Sequence, residues 1–342
     1  MIWIGGLVTS YKSGMAAPEG FSTYGYNLFL YPLRAWLAAP WDLFIEHGHR
    51  LWGHTVGIVT IGFVIAVWLR DSRGWMRACS LGALAGVVFQ GVLGALRVNF
   101  DAVTLARVHG CFGPAFFAFA TALAVCESRG WREWGAGAEG RFRPPGRLVR
   151  LGLATAALAY AQLVLGSLLR HVAAGVSPEA FRLAVLSHVA VAFLLAFAIL
   201  WLAWGLWRAA ADRSALPAEA ALSSKAALSA RGSVLGGARG WLLRPAAALV
   251  MLVTIQLTLG LGAWVSKYGW PQWLADGVGP ARTEGFVVLA AGRGQAWITT
   301  AHVAVGSLIL ATSVMLALRS SRLAFQPRNS ATETPPWREA AA

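Results

Sequence analysis

Nine consecutive residues, Glu46-His47-Gly48-His49-Arg50-Leu51-Trp52-Gly53-His54, put three histidines and an acid–base pair at the mouth of an apolar stretch. Three further histidines, His109, His188 and His302, each stand near the start of another apolar stretch. Neutral imidazole is the commonest side-chain metal ligand. Desolvating an ionisable group in hydrocarbon is costly, so each of these histidines is a functional candidate by default. Two histidines from facing helices of a bundle can clasp a haem iron axially. By helix order His49 pairs with His109 and His188 with His302, which gives four iron ligands and two macrocycles.

At about 100° per residue, Glu46, His49, Arg50, Gly53 and Gly57 share one helical face, and His47 and His54 fall on another. Glu46, His49 and Arg50 are therefore the functional constellation, with His47 and His54 in packing or interfacial roles. Glu46, one turn before His49, is placed to move protons beside a macrocycle. Arg50 pairs either with Glu46 or with a haem propionate. His171 and Arg170, at the end of a later span, are further propionate candidates. His49, His109 and His302 are followed at i+4 by Gly53, Gly113 and Gly306, and His188 by Ala192. Small residues one turn on, on the same face, leave room for a flat ligand. Glu46 has no counterpart at the other histidines, where Ala106, Val185 and Thr299 hold the i−3 place. One pair thus carries groups for chemistry that the other lacks.

Membrane spans must position these residues. The 342-residue chain is 57% hydrophobic and 13% charged, a polytopic membrane composition. Seven segments, roughly 44–69, 78–97, 105–126, 148–170, 182–207, 245–266 and 296–318, are long enough to cross about 30 Å of hydrocarbon. His302 lies about six residues past the helix start near Ala296, roughly 9 Å deep at 1.5 Å per residue. The net charge of +14 falls mainly in alternate loops and the tail. The positive-inside rule places those loops and the C-terminus in the cytoplasm. We therefore read the charge as topology and lipid contact, with no nucleic acid partner, in a bacterial-type inner membrane. The opposite loops pair their few cations with acids, as in Arg97/Asp101 and Arg282/Glu284. Cys79, Cys111 and Cys126 lie in no outer loop, so no outward disulfide is expected.

The spans repeat. Gln90-x-x-Leu93-Gly94, Gln162-x-x-Leu165-Gly166 and Gln256-x-x-Leu259-Gly260 end three outward-going helices, each followed by a histidine helix. Met1 to Gly5 fits the end of a fourth such helix, with Met1 in the glutamine slot. The expected design is all-α: eight helices in two pseudo-symmetric four-helix bundles. This chain carries about seven complete spans, with helix one truncated and a start upstream of Met1 expected. Residues 1–130 would form the N-terminal half-bundle, 131–147 a basic cytoplasmic linker, 148–320 the C-terminal half-bundle and 321–342 a cytoplasmic tail.

Together these residues resemble the haem A synthase family. The match runs from Gly5-Gly6-Leu7-Val8-Thr9-Ser10, Ser13-Gly14-Met15 and Pro18 through the E-x-x-H-R motif Glu46-His47-Gly48-His49-Arg50 to His109, His188 and His302, nearly the whole chain. Two features depart from the family pattern. The usual Pro-Asp-Trp stretch reads Pro18-Glu19-Gly20-Phe21, and the first outer loop lacks the cysteine pair of some members. The resemblance implies oxidation of the C8 methyl of haem O to the formyl of haem A, for use in cytochrome oxidase. It implies haem b (iron) as a cofactor on His188 and His302. It also implies haem O as substrate between His49 and His109, with Glu46 in catalysis. The implied partners are membrane lipid, a haem O synthase and an electron donor. The competing reading is a di-haem membrane cytochrome b-type electron-transfer protein, which needs the same ligands but no catalytic carboxylate.

Overall fold

A computed structural model describes residues 1–133, 143–173, 175–211, 225–269 and 292–325. Arg282 and Glu284, most of the 131–147 linker and nearly all of the 321–342 tail lie outside them. The described chain is α-helical. The helices are α1 (Ile2–Ser10), α2 (Leu33–Leu37), α3 (Trp41–Arg70), α4 (Gly74–Asn99), α5 (Val103–Glu127), α6 (Arg129–Glu133), α7 (Gly146–Arg170), α8 (Pro178–Ala211), α9 (Lys225–Tyr268) and α10 (Arg293–Ala324). Seven of them, α3, α4, α5, α7, α8, α9 and α10, contain windows long and apolar enough to cross a membrane. The chain is an all-α integral membrane protein. The spans exceed the apolar cores read from sequence: α9 runs through Pro245 and starts twenty residues before it.

Neighbouring helices pack in chain order, α1 on α3, α3 on α4, α4 on α5, and then α7 on α8, α8 on α9, α9 on α10. Helix α10 closes the second set by packing back on α7, and it also joins the two sets through α1 and α5. Its buried residues explain this central place: Ala296, Thr300, Ser307, Ala311, Ser313, Ala317 and Ser320 are small. Small side chains let helix backbones approach closely in a membrane, where packing rather than water exclusion holds helices together. The Cβ that a residue at Gly152 of α7 would carry lies 3.6 Å from the Ala317 Cα. Some buried hydroxyls are satisfied within their own helices, Ser307 donating to the Val303 carbonyl and Thr155 to that of Leu151, whereas Ser313 and Ser320 Oγ have no partner among the described residues.

The loop between α1 and α3 folds over one end of the first set. Gly20 donates its N–H to Asn99 Oδ1, and its α-carbon sits so close to the Ala95 carbonyl at the end of α4 that no side chain would fit. At the opposite end, Arg73 bridges Asp71 and Glu127, tying the α3–α4 turn to the end of α5. Hydrogen bonds from Arg73 hold the Asp71 carboxyl well below the usual carboxylate range. A carboxylate depressed in the folded state stabilises the fold above its unfolded pKa near 4, and that stability is lost as pH falls through the folded value. The thermal midpoint of the detergent-solubilised protein should therefore fall on acidification below about pH 4. The Asp71→Asn variant should start lower and lose this part of the acid dependence.

Candidate haem-binding histidine pairs

His49, His109, His188 and His302 lie eight, six, ten and nine residues into α3, α5, α8 and α10. That is roughly 9–15 Å along each helix, all toward the end covered by the α1–α3 loop. The structure brings them together as the helix order predicts. The His49 and His109 ring centres are 6.4 Å apart with ring planes at 80°, and those of His188 and His302 are 6.3 Å apart at 62°.

The sequence repeat has a structural meaning that the sequence alone left unassigned. Each imidazole rests against the glycine that ends a Q-x-x-L-G segment. A Cβ added at Gly5, Gly94, Gly166 or Gly260 would lie 2.8, 3.0, 3.3 or 3.1 Å from Cε1 of His49, His109, His188 or His302. The glutamine one turn earlier grips the same histidine. Gln90 Nε2 donates to the His109 carbonyl at 3.1 Å and approaches His109 Nε2 at 3.4 Å. Gln162 does the same to His188 at 2.9 and 3.2 Å, and Gln256 Nε2 approaches His302 Nε2 at 3.4 Å. The glycines at i+4 from the histidines receive these amides: Cβ atoms at Gly113 and Gly306 would lie 3.2 Å from Gln90 and Gln256 Nε2. At His109 and His302 the space attributed to a flat ligand from sequence is therefore occupied by the glutamines, and at Gly53 the Met1 methyl would lie 3.6 Å from a Cβ. On α1 the glutamine slot holds Met1, which offers His49 no amide donor.

The donor set tests the haem reading. All four imidazoles bury Nδ1 with no hydrogen-bond partner, and an orphaned buried donor or acceptor calls for an explanation. A metal about 2 Å from one nitrogen of each ring puts the ring centres roughly 6 Å apart, close to the spacing of both pairs. Among the described residues no group of three or more His, Cys, Asp or Glu converges. A metal on either pair would take two ligands from the protein and the rest from a macrocycle, as haem iron does. The pairs fit haem by spacing, by orphaned nitrogens and by ligand number. The glycine contacts lead to an expectation. Gly260→Val drives the His302 ring out of line and lowers haem retention at the His188/His302 pair by at least ~10-fold, while His49/His109 keeps its own. Haem per chain of the purified variant measures it.

The opening motif splits by face, as its helical angles require. Glu46 is 2% exposed and pairs with Arg50 at 2.6 Å. Its second oxygen accepts the Ala17 N–H at 2.9 Å. Arg50 also donates to the carbonyls of Ala17, Glu19 and Ser22, so the pair pins the loop onto α3. His47 bonds Thr23 Oγ1 at 3.0 Å and packs against Tyr31 and Trp36. His54 is exposed, against Phe29. His171 follows α7 beside Gly110, one residue after His109, and its carbonyl accepts from Arg107. Burial and the nearby Arg170, Arg97 and Arg107 press the His171 pKa down to about 4. Arg170 donates to the Gly6 carbonyl and to Ser10 Oγ on α1.

One expectation fails. Arg97 makes no ion pair with Asp101, which sits exposed in the α4–α5 turn at φ 45°. Arg97 instead turns inward beneath Gly14, where it leaves no room for a side chain.

Comparison with known proteins agrees with the resemblance read from the sequence. Residues 39–185 match the COX15-CtaA family model, described as cytochrome oxidase assembly protein. That segment spans α3 to the start of α8 and includes Glu46, His49 and His109. No curated protein and no solved structure matches the chain.

Proposed function

From the family of residues 39–185, cytochrome oxidase assembly proteins, we propose that this chain is a haem A synthase that oxidises the C8 methyl of haem O to a formyl group. Two successive hydroxylations of the methyl give a formyl hydrate that loses water, R–CH3 + 2 O2 + 4 H+ + 4 e− → R–CHO + 3 H2O overall, and they require a site for the macrocycle, a route for protons and an electron donor. The observation that carries the reading is the pair of equivalent histidine sites, 6.4 and 6.3 Å between rings, of which, among the described residues, only the first has a buried carboxylate one helical turn from a histidine.

His49 and His109 would hold the substrate haem O through its iron. Glu46, on the His49 face of α3, holds and passes protons at its carboxylate oxygens; Arg50 holds it in place. His188 and His302 hold the resident haem b, which when bound supplies one-electron transfer. Gln162 and Gln256 fix those two imidazoles. The basic loops and C-terminus face the cytoplasm of a bacterial-type cell membrane. A haem O synthase supplies the substrate.

Co-expression with a haem O synthase, followed by haem extraction and mass analysis, tests the reaction. Haem A in the extract is the expected result. Folded, haem-loaded protein yielding only haems B and O would overturn it. The di-haem electron-transfer reading draws on the near-identical spacing of the two pairs, and it predicts that same haem A-free extract.

A further inference from the structure

The guanidinium of Arg97 is the inward cation that the proposed function leaves unused. Seven residues separate Gln90 from Arg97, nearly two full turns, so both lie on one face of α4. Gly94, between them on that face, abuts the His109 ring. Arg97 therefore stands about one turn beyond the His49/His109 pair, on the side of the covering loop. Its guanidinium lies under Gly14 of the covering loop, within electrostatic reach of Glu46 and Arg50.

The other inward arginines at this end have partners. Arg50 has Glu46 and three carbonyls, Arg107 has the His171 carbonyl, and Arg170 has Gly6 and Ser10. Among the described residues Arg97 makes no side-chain hydrogen bond or ion pair. Glu46 attracts it at longer range but makes no ion pair with it, both carboxylate oxygens being hydrogen-bonded to Arg50 and to the Ala17 N–H. A partly buried cation with no side-chain partner gains by taking an anionic one. The second half-bundle has no equivalent: seven residues after Gln256 stands Ala263.

We propose that Arg97 binds a carboxylate side chain of the macrocycle held between His49 and His109, and so sets which edge of that macrocycle faces the covering loop. This rests on the haem reading above. A planar guanidinium offers a carboxylate two parallel N–H donors, and haem propionates are such carboxylates. Because the reacting methyl has a fixed place on the ring relative to the propionates, gripping them at one end also fixes where the methyl lies.

The test uses the full-length protein in detergent, with the His188/His302 site already loaded, titrated with haem B and with haem B dimethyl ester. Binding at His49/His109 is read from the Soret band against a His109→Ala control. The wild type should bind the ester roughly 10- to 100-fold more weakly than the acid. Arg97→Leu should bind the two alike, and Arg97→Lys should keep part of the gap. Retention of haem at His188/His302 confirms that each variant is folded, and Arg97→Lys carries the test if Arg97→Leu is not. Equal affinity for acid and ester in the wild type overturns the proposal, as does a full gap in Arg97→Leu. Loss of the gap on adding excess acetate would support a general carboxylate site, with the propionate as its occupant in the complex. If His109→Ala binds both compounds as the wild type does, the pair holds no haem, and the functional reading falls together with this inference.

Discussion

Glu46→Gln should leave both histidine pairs loaded and lower haem A formation by about 10²- to 10⁴-fold, the usual contribution of a positioned acid or base. The substitution keeps the side-chain shape but turns an amide NH2 toward the Arg50 guanidinium, so the ion pair goes with the carboxylate. Gln keeps a side-chain oxygen to accept the Ala17 N–H, and Arg50 keeps its three loop carbonyls. The loop therefore stays seated on α3 while the group that can exchange a proton is gone. Haem content and spectrum report on the fold, and extracted haem A reports on the chemistry. A variant that loses its haems as well would assign Glu46 to loop anchoring. Unchanged haem A would remove it from the mechanism and favour the di-haem electron-transfer protein.

His302→Ala should reduce haem from two per chain to one and bring haem A formation to background, a loss of more than ~100-fold. Outer partners of metal ligands typically cost 10- to 100-fold when removed, and a direct ligand costs more. The remaining haem should stay on His49 and His109, because α10 contributes no ligand to that pair. His49→Ala should give the converse: the cofactor haem stays and the substrate haem is lost. If His302→Ala instead empties both sites, α10 acts through the interface it makes with α1 and α5 rather than through its imidazole. Comparing the two variants separates these outcomes, since His49→Ala leaves α10 intact.

The spans and the pairing of the four histidines were legible in the sequence, because apolar length and helix order leave few ways to arrange alternating spans. The family motif at Glu46 to Arg50 was equally plain, and residues 39–185 match the family. The partners of that motif were not. Arg50 binds three carbonyls of residues 17–22, and a carbonyl carries no side-chain signature, so a contact about thirty residues distant leaves no pattern. The glutamines were visible as a repeat, but their role depends on helix rotation: the same spacing would serve simple packing. The i+4 glycines after His109 and His302 pointed to an empty shelf that the glutamines in fact fill. Arg97 was misread because an acid four residues on, Asp101, usually signals a helical ion pair. The helix ends before it, and the turn swings Asp101 outward. Counting seven residues from Gln90, rather than four to Asp101, would have placed Arg97 on the histidine-facing side of α4.

The haems bound to the protein purified from cells that make haem O test the central claim most directly. Quantitative extraction and mass analysis should give one haem B per chain, held by His188 and His302, and one equivalent of haem O or haem A, lost selectively in His49→Ala. Two equivalents of haem B per chain, with neither haem O nor haem A bound, would contradict the assignment of the His49/His109 pair as the substrate site.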